Sequence, residues 1–575
     1  MATSPHSPPL LQDILRRIAD VPHRLESWRA RRRVSPAWTA VVAAILAVMI
    51  LPVVTVLVLA ATPSDSIWPH LMRTVLPSAV ADTLLLLAGV GLLTLAIGTG
   101  AAWLVTMYRF PGRAVLDRLL VIPLAMPTYI VAYCYVELLD YAGPLQGALR
   151  TMMGWKTPAD YWFPPVRSLG GGAFVLSMVL YPYVYLSARA SFVQQSVCAL
   201  EVARTLGRTS LQSFREVALP LARPALAAGV ALALMECMND IGAVQYMGIE
   251  TLTVSVYSTW LQRSNLAGAA QIAVVILSFV ALLFLIERLA RGDGRTHHTT
   301  GRYRAIPFQD IEGWRGWLAT GLCALPFVLG FVVPVLVILR HAAGHFADAL
   351  ASGFLKAAFN SMLLATTSAA AAVVIALVLA YARRVASNGF TRPAVVLAGL
   401  GYAIPGTVLA LGLLIPLAGF DNWVDATSRS LLGVSTGLLL SGSVAALTLA
   451  LAIRFLAVGL GSIDAGLERI SPNLDAASRA LGETALSTLW RVHLPILLPA
   501  IGAAALLVFV DAMKELPATL LLRPFNFETL ATHVYGLAAL EQFESASLAA
   551  LAIVAVGLVP VLLLHQAVAG SRPGE

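Results

Sequence analysis

The amino-acid sequence predicts an all-α integral membrane protein of about 12 transmembrane helices, arranged as two parallel six-helix repeats. Of its 575 residues, 58% are hydrophobic and only 12% are charged, and the mean hydropathy is +0.79. A soluble protein of this length does not need so much apolar surface, because one hydrophobic core stops growing near roughly 250–300 residues. The second observation is a polar loop that occurs twice in the chain, which indicates a duplicated architecture.

Apolar stretches of about 20 residues recur along the chain, and a helix of that length crosses a hydrocarbon core ~30 Å thick. A helix also satisfies its own backbone hydrogen bonds, which lipid cannot do. Residues 115–138 and 394–418 carry internal prolines and are the weakest of the predicted spans. The spans are predicted at about 38–61, 79–107, 115–138, 172–193, 222–245, 268–287, 315–339, 359–381, 394–418, 431–457, 497–521 and 545–567.

Positive charge sets the predicted orientation of the chain. Residues 1–36 carry seven arginines, which places the N-terminus in the cytoplasm. An even number of spans returns the C-terminus to the same side. The first span is longer than the apolar core of a secretory signal, so it is interpreted as a retained anchor. The net charge of +8 faces anionic lipid and requires no nucleic acid.

Similarity between the two halves extends beyond one loop. At one constant offset, Asp82-Thr83 aligns with Asn360-Ser361, and Glu250-Thr-Leu aligns with Glu528-Thr-Leu. Six spans per half make both halves enter the membrane in the same direction, and a path is expected at their interface. A His pair in the connecting segment is interpreted as part of a solvated linker rather than as a metal site. The predicted domains are a basic cytoplasmic N-terminal arm (1–36), a first transmembrane half (37–290), a cytoplasmic linker (291–314) and a second transmembrane half (315–570).

The most informative feature is the loop that occurs twice, once in each half, on the predicted cytoplasmic side. The first copy contains Glu201–Gly207 and, after nine intervening positions, Val217–Pro220; the second contains Ala476–Gly482 and, after the same interval, Val492–Pro495. The glycine in each copy permits a turn, because glycine adopts positive φ without steric cost. The proline is expected to open the next membrane helix. An amphipathic helix resting on lipid is the alternative, but the same spacing in two copies favours a docking element.

This spacing resembles the EAA loop of ATP-binding-cassette importer permeases, in which a short coupling helix docks in a groove of the ATPase subunit. The resemblance implies the type I ABC importer permease fold, with an ATPase dimer as partner. Ala476 occupies the position of Glu201, and Asp475 offers the nearest carboxylate. The docking residues implied are Glu201, Ala203, Arg204, Gly207, Leu219 and Pro220 in the first copy, and Asp475, Ala477, Arg479, Gly482, Leu494 and Pro495 in the second.

Three further segments look like the iron(III) branch of these importers: Leu124–Tyr133, Leu139–Gln146 and Met513–Phe527. The resemblance implies a bacterial inner-membrane permease that translocates ferric iron released by an extracytoplasmic binding protein. The outer loop 139–171 is a candidate docking surface for that protein. Importers of thiamine, phosphonate or polyamine share the architecture and remain alternatives. A secondary active transporter is a more remote alternative, because it needs no docking loop.

The chain itself lacks the sequence features of an enzyme. A phosphate-binding P-loop needs Gly-Lys-Ser/Thr, and none of the three lysines, Lys156, Lys356 and Lys514, follows a glycine. ATP and Mg²⁺ are therefore expected on the partner ATPase, and no cofactor is expected on this chain. No catalytic or metal-binding residues are predicted, and the four cysteines are interpreted as small buried apolar residues.

Two carboxylates in the fifth span of each half give an internal clue to the cargo. Glu236 and Asp240 correspond to Asp511 and Glu515 at the spacing of the repeated loops, and i,i+4 spacing predicts each pair on one face of a helix. Ionisable residues within a membrane line a cavity or pair with another charge. The hypothesis is that the four carboxylates form an acidic ring near the external mouth, suited to a cation. The alternative is that Lys514 and backbone N–H groups neutralise these carboxylates, which then serve packing or gating.

Overall fold

The computed structural model describes residues 36–62, 68–194, 205, 207–291 and 308–569, and this part of the chain is almost entirely helical. The elements of the first half are α1 (Pro36–Ala61), α2 (Trp68–Arg73), α3 (Val75–Met107), β1 (Tyr108–Arg109), α4 (Arg113–Leu119), α5 (Thr128–Leu139), α6 (Pro144–Met153), α7 (Leu169–Gln194), α8 (Ser210–Ser213), α9 (Leu219–Asn239), α10 (Gly242–Tyr246), α11 (Leu252–Tyr257) and α12 (Leu266–Arg291).

The second half begins with a strand that pairs with β1. Its elements are β2 (Gln309–Asp310), α13 (Trp314–Phe327), α14 (Val333–Gly344), α15 (Phe346–Ala349), α16 (Leu355–Val385), α17 (Thr391–Ala398), α18 (Gly406–Leu432), α19 (Val444–Glu468), α20 (Pro472–Ala480), α21 (Ala485–Thr488), α22 (Leu494–Met513), α23 (Pro517–Leu522), α24 (Leu530–Ala539) and α25 (Phe543–Ala569). Short 3₁₀ turns lie at Ile122–Ala125, Pro158–Asp160 and Gly399–Ala403, and π-helical turns lie at Phe214–Ala218, Ser258–Gln262, Val328–Val332, Leu350–Phe354 and Leu489–His493.

The prediction of about twelve membrane spans is confirmed. Eleven helical segments among the described residues are long and apolar enough to cross a membrane. A bent pair, Arg113–Ala125 and Thr128–Met153, whose two parts meet at 95°, brings the number to twelve when it is counted as one span. Pro127 stands at this bend, as the internal prolines of the predicted span indicate.

The predicted positions of the ninth and tenth spans are wrong, because both begin too early in the sequence. The ninth was predicted at 394–418, but α17 ends at Ala398 and the long helix begins only after Pro405. Proline lacks a backbone N–H and disfavours helical geometry at the preceding residue, so the chain restarts its helix there. The tenth was predicted at 431–457 and is α19, which ends at Glu468.

The chain forms two compact units, and neither coincides with a sequence half. Among the described residues, the smaller unit comprises 36–50, 370–402 and 455–505, and the larger comprises those within 51–369, 403–454 and 506–569. The predicted N-terminal arm and most of the predicted linker lie outside the described residues, so those two boundaries stay predictions.

Close helix packing builds the core of the larger unit. A Cβ on Gly98 of α3 would lie 2.8 Å from the Tyr185 nitrogen of α7, so only glycine allows these two backbones to approach so closely. The Tyr185 hydroxyl and the Arg189 guanidinium both donate to Asp117 of α4, at 2.7 and 2.6 Å. These contacts fix the bent third span against α7. Three cysteines, at 134, 237 and 323, are buried as predicted, and Cys198 lies outside the described residues.

The smaller unit packs the ends of α16 and α19 against α1 and α22. Gly459 of α19 faces Ala376 of α16, where an added Cβ would lie 3.4 Å from the alanine Cβ. The Trp38 ring of α1 meets the edge of Tyr381 at 5.6 Å between centroids. This packing supports the second repeated loop, which belongs to the same unit.

Candidate coupling loops and the buried polar centre

The second repeated loop, residues 471–495, folds as a helix, a turn and a second helix. Ser471 caps α20, and Pro472 occupies its first turn, where a missing N–H costs nothing. The chain turns at Gly482, whose φ of +82° lies in the left-handed region that favours glycine. Thr484 then caps α21 by accepting a hydrogen bond from Ser487 N–H at 3.2 Å. The loop is therefore a compact helix–turn–helix.

The described part of the first repeated loop, residues 205 and 207–220, follows the same local plan. Gly207 has a φ of +78°. Thr209 accepts from Gln212 N–H, and the Gln212 side chain accepts from Thr209 N–H at 2.9 Å, which forms a capping box. The predicted turn at both glycines is confirmed. Three of the docking residues in the first copy lie outside the described residues: Glu201, Ala203 and Arg204.

Pro220 and Pro495 lie at the start of an α-helical stretch, as predicted, but this stretch is not set apart from the short helix before it. Each proline lies in the first turn of an α-helical stretch that continues directly from a π-helical turn, Phe214–Ala218 in one copy and Leu489–His493 in the other. A π-helical turn widens the backbone and accommodates a residue that cannot donate to the preceding turn. The second short helix of each loop and the membrane helix are therefore one continuous segment.

Apolar side chains in the two loops repeat the same inward and outward pattern. Phe214 packs its ring 4.8 Å from that of Trp103, and its counterpart Leu489 is buried. Leu211 and its counterpart Leu486 are both exposed. One apolar residue thus anchors each loop to its own unit, while the other is presented outward.

Asp475 anchors the second loop within the protein. Its Oδ2 accepts two hydrogen bonds from Arg384, at 2.9 Å from Nε and 2.7 Å from Nη2. The His493 Nε2 lies 2.9 Å from Oδ1. Arg384 also donates to the carbonyl oxygens of Leu467 and Ile470, at 2.6 and 3.0 Å. This carboxylate is engaged inside the chain, so its suggested contact with an ATPase stays a prediction.

The remaining docking residues of the second loop are mostly accessible. Arg479 donates from Nε to the Asp475 carbonyl oxygen at 3.1 Å and is otherwise exposed. Large apolar side chains stand exposed beside it, at Leu474, Leu481, Leu486 and Trp490. Exposed apolar groups clustered among charged ones are typical of a protein–protein contact. Ala477, Gly482 and Pro495 are exposed, Leu494 is half-buried, and in the first loop Gly207 is exposed while Leu219 and Pro220 are half-buried.

The prediction that both carboxylates of each pair lie inside one helix is wrong, although Asp240 N–H still donates to the Glu236 carbonyl oxygen at 3.1 Å. Helix α9 ends at Asn239, directly before Asp240, and helix α22 ends at Met513, shortly before Glu515. Only Glu236 and Asp511 lie inside their helices. Asp240 and Glu515 lie outside these helices. Each of them accepts hydrogen bonds from backbone N–H groups of the short helix that follows it, and so caps that helix. Both fifth spans are therefore broken at the same relative position.

Glu515 is buried at the centre of a dense hydrogen-bond network. It accepts from Ala518 N–H at 2.8 Å and Thr519 N–H at 3.0 Å. Arg454 Nη1 lies 3.3 Å from Glu515 Oε1 and donates to Asn239 Oδ1 at 2.8 Å. The Arg454 and Glu515 side chains are only 5% and 1% exposed. A fully buried ion pair is thus built into the second half.

Asp240 has a different set of partners. It accepts a hydrogen bond from the Thr128 hydroxyl, at the start of α5, and one from Ala243 N–H at 2.8 Å. Thr128 directly follows the bend of the third span at Pro127. The break of the fifth span therefore meets the break of the third span in the first half.

Gly406 occupies the place in the second half that Thr128 occupies in the first, at the same offset that relates Asp82 to Asn360. Its N–H donates to Asn239 Oδ1 at 2.8 Å. A Cβ here would lie 2.5 Å from Arg454 Nη1 and 2.9 Å from both Ala518 N and Glu515 Oε1. Only glycine fits, because the guanidinium fills the space of a side chain.

The charges of this centre were only partly predicted from the sequence. Lys514 pairs with Asp511 at 3.0 Å, one of the neutralising contacts of the alternative interpretation. Arg454 was missed, although a lone arginine inside the predicted span 431–457 was a signal for it. An acidic ring suited to a cation stays a prediction, and two of its four carboxylates face a cationic side chain.

Comparison with known proteins extends this picture. The family model described as "Binding-protein-dependent transport system inner membrane component" matches residues 93–291. The Fe(3+)-transport system permease protein FbpB 2 of Haemophilus influenzae is 24% identical, over 86% of this chain and 91% of that protein. The sulfate transport system permease protein CysT of Salmonella typhimurium is 33% identical, over 34% of this chain and 69% of that protein. The ferric transport system permease protein FbpB of Actinobacillus pleuropneumoniae is 21% identical, over 77% of this chain and 64% of that protein.

The first of these relatives matches across both halves, whereas CysT matches about a third of the chain, so the similarity covers the duplicated plan as well as the single module. The many apolar helices, the helix–turn–helix of the second loop and the matching described part of the first loop agree with that assignment. The chain belongs to the family of binding-protein-dependent transport system inner membrane components, as a fused two-half permease of the type I ABC importer fold.

Proposed function

We propose that this chain is the permease of a bacterial importer for ferric iron. An extracytoplasmic binding protein delivers the iron, and a separate ATPase that binds ATP and Mg²⁺ drives the transport. The ATPase docks on the two repeated loops, and both chain termini lie in the cytoplasm. The observation that carries the proposal is the pair of repeated loops, which match in their described residues from Gly207 and Gly482 onward, in a chain that is similar along most of its length to an Fe(3+)-transport system permease.

The geometry of the loops supports mechanical coupling. In the second loop, Arg384 and His493 hold α20 through Asp475, while Leu481 and Trp490 stay exposed. When a partner displaces the exposed residues, the displacement is therefore passed to α22 through the short loop that Asp475 anchors. Because α22 continues from the π-helical turn without a break, a shift of the loop moves the start of that helix.

Iron as the cargo is supported by two relatives whose names specify Fe(3+) or ferric transport. The similarity to CysT, which is named for sulfate, covers about a third of this chain. Thiamine, phosphonate and polyamine remain alternative cargoes for the same architecture. A secondary active transporter is disfavoured, because it would leave the repeated loops without a role.

The outer loop 139–171 supports docking of a binding protein. It contains α6 and presents Met152, Met153 and Trp162 to solvent, with Trp162 84% exposed. Trp155 stacks on Tyr161 with ring centroids 4.7 Å apart, which stiffens the loop. Exposed Met and aromatic side chains on a stiff loop are suited to a protein contact.

The proposal is tested by ATP-dependent uptake of radiolabelled Fe(III) into vesicles that contain the permease, its ATPase and the cognate binding protein. We expect uptake by the unchanged protein and its loss in the double variant Gly207→Asp and Gly482→Asp. Aspartate disfavours the left-handed backbone at both turns and adds charge to the docking surface.

Gly433→Asp is the matched control, because Gly433 also has a positive φ of +69° and open space around it, but follows α18 and belongs to neither repeated loop. It should insert and transport normally. Uptake that persists in the double variant would contradict the docking role. Uptake that survives ATP depletion but not collapse of the proton gradient would contradict the ABC mechanism. If only a binding protein loaded with thiamine, phosphonate or polyamine stimulates the ATPase, that compound and not iron is the cargo.

A further inference from the structure

Four titratable side chains meet where three helices of the larger unit end. His341 lies in the last turn of α14 and His345 directly follows that helix. Glu544 lies in the first turn of α25, and Glu137 lies near the end of α5. The segment Trp314–Gly344 is long and apolar enough to cross a membrane, and the cluster lies at the end of this segment opposite Trp314.

The distances within the cluster suit a shared ion. One possible ligand atom from each of His341, His345 and Glu544 lies within 4.8 Å of the others. His345 Nε2 is 3.4 Å from Glu544 Oε2, and His341 Nε2 is 3.7 Å from Glu137 Oε1. Two ligands about 2.1 Å from one tetrahedral ion lie about 3.4 Å from each other. Small rotations of the side chains are therefore enough to close the site.

The backbone holds the two imidazoles on one side. His345 N–H donates to the His341 carbonyl oxygen at 3.0 Å, which is an α-helical hydrogen bond. Histidines four residues apart on a helix face the same way, which is the arrangement that lets two of them bind one metal ion. The ring of Phe543, which is itself buried, meets the His341 ring edge-on at 5.5 Å and limits its rotation.

The His345 ring provides a second observation in favour of a ligand. Its Nδ1 is buried and has no hydrogen-bond partner among the described residues. A buried polar atom without a partner calls for an explanation. Because Nδ1 is not committed to another group, the imidazole can present either ring nitrogen to an ion. The four side chains are 15% to 58% exposed, so an ion can reach them from solvent.

The duplicated scaffold does not require this cluster. At the offset that relates Asp82 to Asn360, the position of Glu137 corresponds to Ile415, and the positions of His341 and His345 correspond to Pro63 and Ile67. None of these three counterparts can bind a metal through its side chain. The cluster is therefore a feature of one side of the protein rather than of the fold.

We propose that His341, His345 and Glu544, with Glu137 as a fourth ligand, bind one divalent first-row transition-metal ion. Two imidazoles with carboxylates suit Zn²⁺, Co²⁺, Ni²⁺ or Fe²⁺, whereas Ca²⁺ and Mg²⁺ prefer oxygen ligands alone. The bound ion ties together the ends of α5, α14 and α25. This site does not depend on the identity of the cargo or on the ATPase.

The test uses the full-length protein, purified without a polyhistidine tag, stripped with EDTA and titrated with Co²⁺ while its visible absorption is recorded. We expect saturation at one Co²⁺ per chain, displacement by Zn²⁺, and a higher midpoint of thermal unfolding with metal. His341→Gln with His345→Gln should weaken binding at least tenfold, because loss of an outer-shell partner alone costs about 10–100-fold.

Two controls locate the site. His70→Gln removes an exposed histidine elsewhere, and His297→Gln with His298→Gln removes the pair in the linker; both should bind Co²⁺ as the unchanged protein does. The absence of saturable absorption, unchanged affinity in the cluster variant, or loss of binding only in the linker variant would each overturn the proposal. Glu544→Gln, which is expected to fold because the side chain is exposed, should also weaken binding and guards against misfolding of the histidine variant.

Discussion

The two halves keep the same broken helices but satisfy them with different chemistry. In the first half, Asp240 is held by a hydroxyl and a backbone N–H. In the second half, Glu515 is held by two backbone N–H groups and the guanidinium of Arg454. At the offset that relates Asp240 to Glu515, the counterpart of Arg454 is Val179, so the buried cation has no equivalent in the first half.

This difference shows which feature the two halves share and which feature varies between them. Each end of a helix leaves backbone groups without intrahelical partners, and a side chain that caps the next helix satisfies some of them. A carboxylate performs that role in both halves. The charge that balances it is free to differ, and in the second half it occupies the space that Gly406 leaves open.

Removal of Arg454 is expected to have the largest effect. Arg454→Met leaves Glu515 as a buried, uncompensated charge, and breaking such a pair costs about 3–5 kcal/mol of stability. We expect a large fall in the midpoint of thermal unfolding in detergent and poor insertion in cells. The midpoint is measured on the purified full-length chain, and insertion is measured as the amount of protein in the membrane fraction of the cells.

The double variant Arg454→Met with Glu515→Gln is the control for that experiment. Glutamine keeps an acceptor for Ala518 N–H and carries no charge, so most of the lost stability should return. If the double variant is as unstable as Arg454→Met alone, shape rather than charge explains the effect, and the contrast between the halves loses its electrostatic basis.

Sequence patterns predicted the features that depend on local chemistry. The number of spans follows from apolar length, and the turns at Gly207 and Gly482 follow from the backbone freedom of glycine. The broken ends at Asp240 and Glu515 were not predicted, because i,i+4 spacing fits a continuous helix equally well. A helix ends there because tertiary partners, Thr128 and Arg454, come from distant segments that periodicity does not connect.

The ion pairs and the His cluster were not predicted for the same reason: their members are far apart in the sequence. Arg454 meets Glu515 across 61 residues, and Arg384 meets Asp475 across 91. The spacing of His341 and His345 was visible in the sequence, but the third member of the cluster lies in the last span. Such contacts require the packing of helices, which a single sequence without related sequences does not specify.

The second loop offers the next largest effect. Asp475→Asn removes the charge between Arg384 and His493 while keeping the size of the side chain. Hydrogen bonds to charged groups contribute about 1.5–3 kcal/mol, so we expect a clear fall in the unfolding midpoint and weaker stimulation of the ATPase. Glu483→Gln is the control, because its pair with the exposed Arg491 is worth at most about 1 kcal/mol. Equal effects of the two substitutions would contradict an anchoring role for Asp475.

Gly406→Ala tests whether the second half needs glycine here because the Arg454 guanidinium occupies the space of a side chain. The new methyl group would lie 2.5 Å from Arg454 Nη1, and overpacking of this kind costs about 1–3 kcal/mol. Gly419→Ala in the same helix has open space and should be neutral or slightly stabilising. The thermal midpoints of both variants are compared with that of the parent. In the Arg454→Met background, Gly406→Ala should become less harmful, and an unchanged penalty would show that the backbone rather than the guanidinium limits this position.

The smallest effect is expected at Asp240. Asparagine keeps an acceptor for Ala243 N–H, and the Thr128 hydroxyl can turn to accept from the new amide. Asp240→Asn should therefore cost about 1 kcal/mol, the value of one ordinary hydrogen bond. Glu515→Gln should cost several times more, because it strands the buried Arg454. The two substitutions, made singly and compared by thermal unfolding, measure the asymmetry directly. Equal losses would mean that an unseen cation also balances Asp240, and the two halves would then differ in the source of the charge rather than in its presence.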